Sequence, residues 1–250
     1  METIALKNIS KSYQGKPALR QITFSFPSNT TTAVIGPSGS GKSTLLQLIN
    51  GLLRPDAGDI HVYGQLIDYN GLPNLRRRIG YAVQGTGLFP HLTVAKNITL
   101  LAHLQKWEHE KIKRRLQDLM ELVDLPQDYA KKYPHQLSGG EQQRVGLCRA
   151  MMLNPGIFLL DEPFGSLDPL TRNEIHREFL KLQEVEARTI VLVTHDLREA
   201  IKLARQIMIL NQGKIEQVGT QKEILKNPAS EFVRQFVQLQ LEDDISYAGT

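Results

Sequence analysis

Cysteine is nearly absent. Cys148 stands alone among 250 residues, which excludes an intramolecular disulfide framework and any all-cysteine metal cage. Long hydrophobic runs are missing too. The longest, such as Ile157 to Leu160 and Ile190 to Val193, fall far short of the ~18 residues that suggest a membrane span. The first residues, from Met1 to Lys7, lack a basic segment followed by an apolar one, so no secretion signal is expected and the cytoplasm is the expected compartment. Charge of one sign is not concentrated: thirty Lys and Arg face twenty-six Asp and Glu, a formal +4. The densest basic groups, Arg76-Arg77-Arg78 and Lys111 to Arg115, read as solvated helix surface, and no nucleic-acid partner is expected. His91, His103, His109 and His135 show no metal-ligand spacing of the H-E-x-x-H kind and read as surface or packing residues.

What is present begins with nine residues, Gly36-Pro37-Ser38-Gly39-Ser40-Gly41-Lys42-Ser43-Thr44. They follow an apolar run, Ala33 to Ile35, and precede a helical pattern of Leu45, Leu46, Leu48 and Ile49, which is the strand, loop and helix context of G-x-x-x-x-G-K-[ST]. A triphosphate is a dense anion, and binding it needs several converging donors without side chains in the way. Glycines let backbone N–H groups curl around it, and the N-terminus of the following helix adds its own. Lys42 then reaches the β- and γ-phosphates, and the Ser43 hydroxyl takes a place on Mg²⁺. The pattern predicts that the chain binds a nucleoside triphosphate.

In chain order, residues 3–9 and 22–26 alternate as two half-exposed strands. Between them Tyr13 offers either a face for an adenine ring or an aromatic packed on a sheet edge. A strand at 59–63, a short basic helix at 72–78 and a buried strand at 79–83 follow, and Gln84 ends the last of these. Its amide can touch a metal ion or its water and let go. From 85 to 152 the spacing turns helical, with segments at 92–104, 112–123 and 141–152. At the edge of this insertion, in the segment Gln84 to His91, Leu88 and Phe89 beside Pro90 are read as exposed apolar residues suited to docking a partner.

Leu137-Ser138-Gly139-Gly140-Glu141 ends the insertion. Ser138 and Glu141 make a capping box. That does not account for two glycines in the first turn, where each costs roughly 1 kcal/mol relative to alanine, so the segment reads as a second phosphate-binding helix end. An apolar strand from 156 then delivers Asp161 and Glu162. Neighbours on a strand point to opposite sides, which gives the two carboxylates different tasks: Asp161 for Mg²⁺, Glu162 for the attacking water. Ser166-Leu167-Asp168 turns the chain into a helix around 174–185, and a buried strand at 189–193 delivers His195, suited to the γ-phosphate or the water. Strands at 206–210 and 214–218, a helix at 221–226 and an amphipathic helix from 228 with a loose terminus complete the chain. No motif occurs twice.

A phosphate loop, Gln84, Leu-Ser-Gly-Gly-Glu, an acidic strand end, Ser-Leu-Asp and His195, in this order, resemble the ATP-binding-cassette ATPases over almost the whole chain. The resemblance implies Tyr13 as the adenine-stacking aromatic, residues 36–44 as the ATP loop, and Ser43, Gln84 and Asp161 around Mg²⁺. It also implies Glu162 as catalytic base, with Gln84 and His195 sensing the γ-phosphate. It further implies a head-to-tail dimer of two copies, in which Ser138, Gly139, Gly140 and Glu141 of one subunit close over ATP on the other, with Ser166, Leu167 and Asp168 at the interface. An integral membrane permease would be the partner, with a solute-binding protein in the complex and the chain peripheral on the inner face of the cell membrane. Glu141 departs from the commoner glutamine, and control by an appended regulatory domain is not expected. The runs at 87–94, 146–150 and 168–172 look similar to importers of glycine betaine, choline and related osmoprotectants. Importers of amino acids or other polar solutes, and soluble cassette proteins without a transporter, are the alternatives. The expected fold is an α/β phosphate-loop core with an N-terminal antiparallel β segment, 1–84 and 153–250, around a helical subdomain, 85–152, in one domain.

Overall fold

The computed structural model describes residues 2–83, 85, 87–185 and 187–242. Gln84 and the expected loose terminus after 242 lie outside them. Contacts divide the chain into two compact units, residues 1–75 with 188–250 and residues 76–187. Among the described residues no helix is long and apolar enough to cross a membrane.

The first unit opens with β1 (Glu2–Tyr13) and β2 (Lys16–Pro27), an antiparallel pair. Ile4, Leu6 and Ile9 of β1 are all buried, although a strict alternation would turn residue 9 outward. A register shift between Leu6 and Ile9 changes the phase, and Ile9 faces Ile22 of β2. The strand β3 (Thr31–Ile35) is buried at every residue and leads into the loop before α1 (Lys42–Ile49). The strands β4 (Ala57–Val62) and β5 (Gln65–Leu66) complete an antiparallel sheet in the order β2-β1-β4-β5. A short helix, α2 (Leu72–Arg76), ends this stretch.

In the second unit β6 (Ile79–Ala82) pairs in parallel with a later strand across three helices: α3 (Val94–Leu104), α4 (His109–Leu122) and α5 (Gly139–Met151). No strand interrupts the helical stretch among the described residues. Its core holds Val94, Ile98, Ile112, Leu119, Met120, Val145 and Cys148. The Arg144 guanidinium closes the end of α4 by donating to the carbonyls of Val123 at 3.2 Å and Asp124 at 2.7 Å. The partner strand β7 (Ile157–Asp161) is buried throughout, and α6 (Pro169–Val185) starts earlier than its apolar spacing suggests.

The chain then returns to the first unit with β8 (Thr189–Val193), α7 (Leu197–Leu203), β9 (Gln206–Asn211), β10 (Lys214–Gly219), α8 (Gln221–Lys226) and α9 (Glu231–Glu242). β3 pairs in parallel with β8 on one side and β9 on the other, and all five of its residues are buried, Thr31 and Thr32 as well as the apolar Ala33 to Ile35. Leu197 and Ala200 of α7, Ile224 of α8, and Val233 and Val237 of α9 pack on Ala33, Ile35, Ile207 and Ile209. Each fully buried Val, Leu or Ile here contributes roughly 1.5–3 kcal/mol. α7 was not foreseen. It forms because the Asp196 carboxylate accepts from the amides of Arg198 at 2.8 Å and Glu199 at 3.2 Å.

Candidate functional site

The first unit places the phosphate loop at the carboxyl end of β3, where open α/β sheets bind ligands. Gly36 has φ +151, and a Cβ there would lie 2.0 Å from the Leu210 carbonyl oxygen. Gly41, at φ +106, would set a Cβ 2.5 Å from the Ala18 carbonyl oxygen. Both positions need glycine for the backbone path and for the close neighbours. Ser38 and Gly39 are exposed, Pro37, Ser43 and Thr44 half-buried, and Lys42 buried. Gly41 caps α1 without a side-chain bond, so the helix offers bare N–H groups to the loop. The Lys42 ammonium donates to the carbonyls of Gly36 at 2.8 Å and Pro37 at 3.0 Å. The Ser40 hydroxyl is buried without a hydrogen-bond partner. A glycine cradle, a cation over it and an orphaned buried hydroxyl together fit a polyphosphate.

Tyr13 ends β1 opposite Lys16, across a two-residue turn in which Gln14 (φ +49) and Gly15 (φ +78) are both left-handed. Tyr13 is 43% exposed. Ala18 and Leu19, which abut Gly41, begin about two strand residues further on, some 7 Å at strand rise. Tyr13 thus belongs to the hairpin whose second strand runs past the loop. His195, exposed, follows β8. The Thr194 amide donates to the Val34 carbonyl at 3.3 Å, which sets His195 at the same strand end as Gly36.

In the second unit Asp161 ends β7 with only 3% of its surface exposed. Burial first, and the Asp161 carboxylate second, push the Tyr81 phenol up to about 12. Glu162 is not on the strand, contrary to the alternation argument. It has left the β region for φ +50, so the chain turns directly after Asp161. Its carbonyl accepts from the Gly165 amide at 3.3 Å and from the Gln143 side chain. Gln143 is absent from the sequence-based site. It lies on the helical face below Ser138 to Gly140, and only its position two residues past the capping box could have marked it.

Ser138 and Gly139 are exposed at the start of α5, and Gly140 and Glu141 are half-buried. The capping box is complete: the Ser138 hydroxyl accepts from the Glu141 amide at 3.2 Å, and the Glu141 carboxylate accepts from the Ser138 amide at 2.6 Å. Burial raises the Glu141 pKa, but the bonds from Ser138, the Arg144 charge and the Tyr129 hydroxyl outweigh it and hold the carboxyl below its ordinary value. In the turn at 166–168, Asp168 caps α6 through the amides of Leu170 at 3.2 Å and Thr171 at 3.0 Å. Arg172 donates to the Leu167 carbonyl at 2.8 Å.

The expected docking stretch is ordered by one buried side chain. Asn97 accepts from the Phe89 amide at 2.8 Å and donates to the carbonyls of Phe89, Leu92 and Thr93 at 3.1, 3.0 and 3.1 Å. Arg149 donates to the Gly87 carbonyl at 2.7 Å. Phe89 is 42% exposed, whereas Leu88 is half-buried, so only one of the two apolar residues is on display.

A protein-family model described as "ABC transporter" matches residues 19–165. The chain is 48% identical over 235 residues to the choline transport ATP-binding protein OpuBA of Bacillus subtilis, covering 94% of this chain and 62% of the relative. It is 44% identical over 233 residues to the glycine betaine uptake system ATP-binding protein YehX of Escherichia coli, covering 93% and 76%. The chain therefore spans less than two thirds of the length of some curated relatives it matches. A similar solved structure is the dimeric, post-hydrolysis state of the ATP-binding cassette MJ0796 bound to ADP and Pi. It has a TM-score of 0.82 and 32% identity, covering 87% of this chain and 98% of that one.

Proposed function

This chain belongs to the ABC transporter family of ATP-binding proteins, and we propose that it is the ATP-hydrolysing subunit of a membrane importer for a quaternary-amine osmoprotectant. The observation that carries the nucleotide part is the loop at 36–44, where the Lys42 ammonium stands 2.8 Å from the Gly36 carbonyl above a cradle closed to any side chain at Gly36. Relatives named for choline and glycine betaine transport support the solute class.

In this reading Tyr13 stacks on the adenine, and the amides of 36–44 and the Lys42 ammonium hold the phosphates. The magnesium fits the chemistry of the donor set, a Ser43 hydroxyl, the Asp161 carboxylate and the Gln84 amide being hard oxygen donors. When bound, that ion neutralises charge on the phosphates. Glu162 takes the proton of the attacking water, His195 and Gln84 respond to the γ-phosphate, and Ser138 to Glu141 close over ATP on a second copy, with Ser166 to Asp168 at the interface.

Phe89, held out by Asn97, is the apolar residue that a permease's cytoplasmic loop covers, and the chain sits peripherally on the inner face of the membrane with a solute-binding protein delivering cargo. Reconstitution with a candidate permease tests the reading. MgATP-dependent uptake of labelled glycine betaine or choline is expected. An active ATPase that copurifies with no integral membrane protein would contradict it.

A further inference from the structure

The Gln143 amide lies where three segments of the second unit meet. Its Nε2 donates to the Glu162 carbonyl, and its Oε1 accepts from the Ser166 amide at 2.9 Å. Because one end must donate and the other accept, the two bonds fix the orientation of the side chain. Residue 143 lies three and four positions beyond Gly140 and Gly139, on the same face of α5. That face also bears on the turn directly, since a Cβ on Gly140 would lie 3.1 Å from the Ser166 carbonyl oxygen and 3.3 Å from Leu167 Cδ2. Glu162 occupies a backbone region sparsely used by residues with a side chain. The Gln143 bond to its carbonyl, together with that from the Gly165 amide, helps to keep it there.

From this geometry we infer that Gln143 is a positioning residue that mechanically links the two nucleotide sites of the dimer. The inference rests on the shared two-subunit site proposed above. In that site the N-terminus of α5 engages ATP on the other copy, while Glu162 serves the ATP of its own copy. One amide joins the two: a displacement of α5 as it meets the partner's nucleotide passes through Gln143 to the peptide that aims Glu162 and to the amide of Ser166. Hydrolysis at each site then depends on nucleotide at the other.

Two full-length variants test it. Gln143→Met keeps length and helix propensity and loses both bonds; Gln143→Glu keeps the acceptor for Ser166 and loses the donor to Glu162. The expected result in both is a kcat lower by roughly tenfold to a hundredfold, from the loss of bonds that hold a reacting group. The Hill coefficient for MgATP should approach one, while MgATP affinity by calorimetry and KM stay within about twofold, because the phosphate contacts are untouched. A residue that merely supported the fold would move affinity and thermal stability as well. Native kcat and cooperativity in either folded variant would overturn the inference while leaving the shared site intact. A Glu162→Gln chain with Gln143 intact that forms no MgATP-dependent dimer, with MgATP shown to be bound, would reject the shared site, and this inference with it.

Discussion

The Lys42 ammonium donates to the Gly36 carbonyl at 2.8 Å, spanning the phosphate loop from its last part to its first residue. That carbonyl is a neutral acceptor, and so is the Pro37 carbonyl at 3.0 Å. Phosphate oxygens, being charged, compete well for the same donor. Lys42→Ala removes charge-assisted bonds worth roughly 1.5–3 kcal/mol each, so kcat/KM for ATP should fall by about a hundredfold or more. Phosphate release by the purified variant measures this. Native turnover would show that the loop does not hold the nucleotide as proposed.

Glu141 links the start of α5 to pH. Its folded pKa lies below the ordinary 4.5: burial raises it, and Ser138, Arg144 and Tyr129 together lower it further than burial raises it. A depressed carboxylate pKa contributes stability that is present above the unfolded value and is lost as pH falls through the folded one. In Glu141→Gln the amide oxygen can still accept from the Ser138 amide, but the charge is gone. The native chain should be more stable than the variant at pH 7 by about half a kcal/mol, a figure already reduced for solvent screening. The gap should narrow as pH falls below the ordinary carboxylate value and close once the folded carboxyl has taken up its proton. Urea unfolding at several pH values reads it, and a gap independent of pH would reject the charge as its cause.

Cys148 is fully buried and donates to the Leu119 carbonyl at 3.2 Å, and burial pushes its thiol up to about 12. The thiolate needed for attack is therefore scarce at pH 8. Maleimide should leave the native chain unlabelled and modify it only in denaturant. Labelling of folded protein would mean that the helical core opens readily.

An inert Cys148 makes Phe89→Cys a clean probe. Phe89 is exposed and its backbone is clamped on both sides by Asn97. If the proposed permease docks here, a crosslink from residue 89 to it should form in an active reconstituted transporter. The same reagent at half-buried position 88 should react more slowly. No crosslink from 89 would move the docking surface elsewhere.

Much of the fold was legible because local chemistry and burial agree. Residues 190–193 form an uninterrupted apolar run of the kind a strand covered on both faces favours, and β8 spans it together with Thr189. The Ser138 and Glu141 pair marked the start of α5 for the same local reason. What escaped depends on contacts distant in sequence. α7 is short and weakly periodic, and it forms on the Asp196 cap and the packing of Leu197 and Ala200 against β3 and β9. Gln143 gains its place from Glu162 and Ser166, 19 and 23 residues away, and a glutamine on a helix carries no local mark of such a bond. The turn of Glu162 to φ +50 follows from the same contact and from Gly165, where the sequence shows only the next residue of a strand. The phosphate-loop residues were proposed from spacing alone, since that motif is local in sequence.

Glu162→Gln keeps the size and shape of the side chain but can no longer accept the proton of the attacking water. The contacts proposed for ATP, through Lys42 and Ser43 on one copy and Ser138 and Gly140 on the other, remain. Removing a carboxylate beside a triphosphate also relieves like-charge repulsion. Size-exclusion chromatography of this variant with and without MgATP is the most direct test of a shared site. A monomer without nucleotide and a stable dimer with it, accompanied by loss of hydrolysis, is the expected result. A monomer under both conditions, with MgATP shown to be bound, would contradict a catalytic site completed by a second copy.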